Sequence, residues 1–172
     1  MWDGCWVRWI VFSQFEHKGL RPADIGGKGE EIMSNVVSAT TRFVQRAGGA
    51  QRLLDGAYIH LAQAGELSHR GDMCSALEYA YRAALRAAGA RVAMSPIAAR
   101  KRKPTSAIEQ LRLVGKAENV WADKIASYSR LRSRISTGLE TEVSAQTVRG
   151  LISIVSDFLH DIECVQGDSM AA

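Results

Sequence analysis

Four histidines, His17, His60, His69 and His160, are the ordinary side chains of this sequence that exchange protons near neutral pH, so acid–base chemistry would have to be organised around one of them. Their basic neighbours are badly placed to help. Arg52 and His60 have seven residues between them, which on a helix sets them about 12 Å apart along the axis. His60 adjoins Tyr58 and Leu61 and reads as a boundary residue of an apolar stripe. His69 and Arg70 stand where that stripe ends, a favourable place for positive charge at a helix C-terminus. His160 lies between Asp157 and Asp161. With Glu163 or Glu78 these groups would bind a metal only if a cleft gathered them, and an i,i+4 acidic pair on an amphipathic helix reads as solvated charge. No metal ligand set and no cofactor is assigned.

Two further groups carry polar chemistry. The run Arg100, Lys101, Arg102, Lys103 contains no acid, and Arg130, Arg132 and Arg134 follow at alternate positions. Packed side by side, these seven would form one positive surface for phosphate contacts that are salt-dependent and largely blind to sequence. The bland reading is a solvated loop and helix terminus. The second group is Glu78, Tyr79 and Arg82: Glu78 and Arg82 are spaced for an i,i+4 pair, and Tyr79 shares a face with Arg82. That face is a candidate interface or ligand surface. Gly26 and Gly27, with Lys28 and Gly29, lack the spacing and the preceding strand of a phosphate loop.

Helices must position all of these. One is expected from Ser34 to Arg46, interrupted by Gly48 and Gly49. Leu53, Leu54, Ala57, Tyr58, Leu61 and Ala64 form the stripe of a second, whose end Gly65 and Gly71 bracket. Asp72 is the expected N-cap of a third, alanine-rich helix carrying Cys74, Leu77, Ala80, Tyr81, Ala84, Leu85 and Ala88 inward, a small-residue face suited to the centre of a bundle. Ser106 with Glu109 predicts a capping box and a short helix that Gly115 stops. A helix from about Asn119 to Ser133 carries Val120, Trp121, Ile125, Tyr128 and Leu131. A last one after Ser144 carries Val148, Leu151, Ile152, Val155, Phe158, Leu159 and Ile162. The expected fold is all-α, an up-and-down bundle of about five helices spanning 34–165, with a frayed tail at 166–172.

The length of 172 residues suits one domain, and 47% hydrophobic with 23% charged residues excludes disordered and collagen-like chains. There are 22 Lys and Arg against 18 Asp and Glu. Residues 1–33 sum to minus one, so the positive excess belongs to the bundle. The apolar stretch from Trp6 to Phe15 is broken by Arg8 and is too short to span a bilayer, so no membrane association is expected. Residues 1–33, with Trp2, Trp6 and Trp9 and a Gly- and Pro-rich close, read as a poorly ordered leader, or as a misassigned one preceding a start at Met33. Three widely spaced cysteines, Cys5, Cys74 and Cys164, fit no disulfide framework and suggest a reducing cytoplasm.

The order of an LLxxA helix, the alanine-rich segment Ala76 to Ala90 (ALEYAYRAALRAAGA), a basic proline-containing joint, a short capped helix and two more helices resembles the HEPN (higher eukaryotes and prokaryotes nucleotide-binding) superfamily over Gly49 to Glu163. Within it the likeness is to a poorly characterised group found in actinobacteria. The resemblance implies a dimer, and in many members a metal-independent RNase whose arginine precedes a histidine by four to six intervening residues. Here the pairs Arg8 and His17, Arg52 and His60, and Arg149 and His160 all miss that spacing, so an RNase would require an Arg and a His assembled across chains. The expectation is a non-enzymatic module: a protein-association domain, dimeric or paired with a nucleotidyltransferase or stress-related partner. The alternative is a binder of RNA or nucleotide through its basic surface.

Overall fold

A computed structural model describes residues 39–171, with side chains from 47 to 166. The leader, the expected helix start at Ser34 and the side chains of the tail beyond Gln166 lie outside the described residues. Six α-helices and one short 3₁₀ helix account for the described chain: α1 (Ala39–His69), α2 (Met73–Ala93), a 3₁₀ turn (Pro96–Ala99), α3 (Ala107–Arg112), α4 (Lys116–Ala126), α5 (Ser129–Ser136) and α6 (Ala145–Ala171).

α1 and α2 form an antiparallel hairpin whose bend is written in three residues. Gly71 adopts φ +85°. The Asp72 amide donates to the Leu67 carbonyl at 3.0 Å and the Gly71 amide to that of Ser68 at 3.2 Å, which satisfies the last carbonyls of α1 in a Schellman turn. Asp72 then caps α2, its carboxylate accepting from the Ser75 amide at 3.1 Å, as the sequence predicts. The chain returns along α2 through α3, α4 and α5. Glu118 of α4 meets Arg91 near the C-terminal end of α2, and Arg132 of α5 meets Glu78 near its start. α6 runs in the same sense as α2, with Cys74 Sγ donating to the Thr141 carbonyl ahead of it and Gln166 against Met94 at its far end. The result is an up-and-down bundle whose third leg is broken into short pieces.

Most of the predicted stripe residues form the core, whereas Tyr58, 41% exposed, and Val120, 54% exposed, lie outside it. Leu54, Ala57, Leu77, Tyr81, Leu111, Ile125, Val148, Leu151, Val155, Phe158, Leu159 and Ile162 are all buried. Trp121 closes its side, with ring centroids 5.2 Å from Phe158 and Lys124 Nζ 4.2 Å above the indole.

Four local expectations are corrected. Gly48 and Gly49 do not interrupt the helix: α1 is continuous through them, because about 1 kcal/mol per glycine is a small cost beside a helix that packs along α2 from Ala50 onward. The helix expected from Asn119 to Ser133 divides into α4 and α5. Ser127 Oγ donates to the Lys124 carbonyl and Ser129 Oγ to that of Ala126, both at 2.7 Å, drawing the backbone out of its ladder around Tyr128. Ser106 stands at the N-cap of α3 with no side-chain cap bond, and the Glu109 carboxylate, the other half of the expected box, lies 3.4 Å from Arg112 instead. At the other end of the chain, α6 continues helically to Ala171, past the start expected for a frayed tail.

Candidate functional site

Glu78, Tyr79 and Arg82 lie in the first three turns of α2 and are all part-buried. Arg82 Nε donates to Glu78 Oε1 at 2.9 Å, the predicted i,i+4 pair. The same carboxylate is held from α5: Arg132 Nε donates to Oε2 at 2.6 Å and Nη2 to Oε1 at 3.0 Å, a forked contact. The Arg132 guanidinium also lies 5.0 Å above the Tyr81 ring, and that of Arg82 lies 5.3 Å from the Tyr79 centroid. Burial alone would raise the Glu78 carboxyl, but the hydrogen bonds and charges of Arg132 and Arg82 outweigh it and hold the group below the ordinary carboxylate value. The Glu78 hydrogen bond, against the opposing effect of burial, raises Arg132 in turn. Burial likewise pushes the Tyr81 hydroxyl up.

The structure therefore gathers one member of the basic group onto the acid of the other group, a junction 54 residues apart in sequence. It does not gather the basic group itself. Arg134 pairs with Glu140 at 3.1 Å, and Arg130 is exposed. Arg100, Lys101, Arg102 and Lys103 are exposed on the connection that leaves the C-terminal end of α2, where Lys103 Nζ donates to the Ala98 carbonyl at 3.2 Å. From the level of Glu78 to that end is about 20 Å of helix at 1.5 Å per residue.

Sequence reasoning missed what lies across from Tyr79. The α1–α2 crossing places His60 against it, with ring centroids 5.7 Å apart and tilted by 55°. Gln63 Oε1 is 3.2 Å from His60 Nδ1. One turn before His60, Gly56 makes room for Arg86: a Cβ on that glycine would stand 2.7 Å from Arg86 Nη1. Arg86 is exposed and forms no ion pair with an acid among the described residues. His60, Tyr79, Arg82 and Arg86 thus follow one another along the outer seam between α1 and α2. Ile59, 59% exposed, lies next to His60, and Tyr79 lines a shallow groove with Ala62, Gln63, Glu66, Leu67 and Arg70. The available signals were the i,i+4 spacings of Gly56 with His60 and of Arg82 with Arg86, which mark shared faces without saying that the faces meet.

Two other ties are structural. Arg91 Nε donates to Glu118 Oε1 at 2.9 Å with both side chains largely buried, joining α2 to α4. Gly115 permits it, since a Cβ there would stand 2.6 Å from Glu118 Oε2. Tyr58 donates to Glu163, joining α1 to α6; burial first, then the carboxylate's hydrogen bond and charge, push the hydroxyl up to about 12. His160 Nε2 lies 3.6 Å from Cys164 Sγ, and no group of three side chains that could hold a metal ion occurs among the described residues. No described helix is long and apolar enough to cross a membrane.

An all-α up-and-down bundle carrying these elements in this order is consistent with a HEPN-like helical domain. A family model described as SAV_6107-like HEPN matches residues 69–163, more than half of the chain, and the protein belongs to that family. The match starts at the last residue of α1, later than the resemblance drawn from Gly49. It takes in Glu78, Tyr79, Arg82, Arg86 and Arg132 and leaves Gly56 and His60 outside. Neither curated proteins nor solved structures gave a match.

Proposed function

We propose that the protein is a non-catalytic HEPN module that works by association, as a homodimer or with a separate protein such as a nucleotidyltransferase or stress-related partner. The observation that carries this reading is the α1–α2 seam, where an aromatic and cationic row, Tyr79, Arg82 and Arg86, runs along α2 with His60 against Tyr79, while α1 exposes Ile59. Tyrosine and arginine are the residue types that anchor protein interfaces, and an exposed aliphatic side chain adds apolar area for a partner to cover. The histidine in that seam is engaged by Tyr79 and Gln63 and lacks an arginine at the RNase spacing. Light scattering of the purified chain, together with affinity isolation from its native extract, tests the reading. An Ile59→Glu variant with an unchanged helical spectrum is expected to lose self-association or the stoichiometric partner protein. Retention of both, or isolation of the parent chain with nucleic acid alone, would overturn it.

A second reading is favoured by one observation. Arg100, Lys101 and Arg102 are adjacent, exposed and without an acidic partner among the described residues. Binding of RNA or nucleotide there would weaken steeply with salt and fall on charge reversal of Arg102.

A further inference from the structure

We infer that His160 and Cys164 of α6 are one half of a zinc site, which the same two side chains of a second copy of this chain complete. The inference goes beyond the association reading and does not rest on it, because it uses α6 and not the α1–α2 seam. The first argument is the spacing of the donor atoms. His160 Nε2 and Cys164 Sγ are 3.6 Å apart, on exposed side chains four residues apart on one helix face. Zinc bonds of about 2.3 Å to thiolate sulfur and about 2.0–2.1 Å to imidazole nitrogen, opened to a tetrahedral angle, put those two atoms about 3.6 Å apart. The pair therefore stands at the bite of a tetrahedral ion as it is. In the metal-free chain the same approach serves a thiol-to-imidazole hydrogen bond. On binding, the thiol proton leaves to solvent, the sulfur–zinc bond forms in its place, and the nitrogen lone pair makes the second bond.

The second argument is the donor count. No group of three metal-binding side chains occurs among the described residues, so one chain brings two of the four ligands that a closed zinc site takes. A twofold axis through the ion repeats the pair and gives two thiolates and two imidazoles, a donor set of structural zinc sites. Thiolate with imidazole also favours zinc over the hard cations magnesium and calcium. The third argument is the surrounding face. Asp157 precedes His160 by three residues and Asp161 precedes Cys164 by three, so the four side chains tile one surface of α6. Neither acid forms an ion pair among the described residues. Two such faces brought together oppose four carboxylates, which repel until a divalent cation stands between them, so pairing here depends on the metal. One turn back, the exposed side chains are the short ones of Ser153 and Ser156, which let two helices come to the close packing distance that ligands as short as cysteine require.

The test uses the full chain carrying Cys5→Ser and Cys74→Ser, which leaves Cys164 as its one thiol, in a reductant that is not itself a thiol. It is titrated with cobalt(II), a spectroscopic stand-in for zinc. The expected result is the strong visible spectrum of tetrahedral cobalt with a thiolate charge-transfer band, saturating at one ion per two chains. Light scattering is expected to show the mass doubling with cobalt or zinc and reverting with a chelator. Cys164→Ser and His160→Asn, at exposed positions, are each expected to abolish the doubling with the helical spectrum unchanged, whereas Ile59→Glu leaves the metal-driven doubling intact. A weak octahedral cobalt spectrum, one ion per chain with no change in mass, or a doubling that persists in Cys164→Ser would each overturn the inference.

Discussion

Removing the Glu118 carboxylate tests the packing logic of the bundle most severely. Its side chain is 9% exposed and that of Arg91 19%, so Glu118→Ala leaves a guanidinium largely out of water with its counter-charge gone. Breaking a buried ion pair from one side costs about 3–5 kcal/mol, and the residual exposure of Arg91 argues for about 3. With a urea slope of about 2 kcal/mol per molar, the unfolding midpoint is expected to fall by about 1.5 M. Removing both charges is a different perturbation. Arg91→Met with Glu118→Leu leaves no orphan, and apolar replacements of a buried pair are often neutral or stabilising, so the double variant is expected to recover most of the loss. Urea unfolding followed by circular dichroism on the parent, Arg91→Met, Glu118→Leu and the double variant, with Glu118→Ala alongside, gives the answer. A midpoint for Glu118→Ala within about 0.2 M of the parent, or a double variant as unstable as the two single losses added, would refute the reasoning.

Two further expectations concern the polar network and the hairpin. Because Glu78 is held below its ordinary value of 4.5, the unfolded chain binds the proton more readily than the folded one. Its contribution is therefore complete above that pH and disappears as pH falls through the lower folded value. Glu78→Gln is expected to show a flatter stability profile below about pH 4.5 and to converge on the parent in acid, and parallel profiles in urea titrations would sink the assignment. Gly71→Ala forces a side chain into the left-handed region at φ +85° and is expected to cost about 1–2 kcal/mol, with Gly71→Asn losing less. Equal melting temperatures for all three proteins would show that the turn relaxes.

Local features were legible in the sequence and non-local ones were not. Asp72 as a cap, the stripes of α2 and α6 and the stop near Gly71 follow from neighbours within a few positions, and each is where the spacing puts it. The division at Ser127 and Ser129 depends on hydroxyl groups choosing carbonyls three residues back, which apolar periodicity does not register. Gly48 and Gly49 show the reverse, a real local penalty overridden by packing. In the candidate site, the Glu78 and Arg82 pair was readable as an i,i+4 spacing. The forked Arg132 contact, the His60 ring against Tyr79 and the Arg86 guanidinium on Gly56 all require knowing which helix lies beside which. The basic residues looked alike in sequence, and only the fold separates Arg132, which neutralises an internal acid, from Arg102, which faces solvent.

Seven of the ten buried residues of α2 are alanines. A methyl group has no rotamers to freeze, so this helix is ordered with little side-chain entropy lost, and its neighbours seat against backbone rather than against interlocking branches. The same arrangement leaves no slack: enlarging Ala80, Ala83, Ala84 or Ala87, each wholly inaccessible, has only another helix to push against. α2 is consequently a rigid ruler on which Glu78, Tyr79, Arg82, Arg86 and Arg91 are graduations. Surface positions can change freely by mutation around it, while the intervals between its five polar marks are locked by the residues with the least chemistry of all.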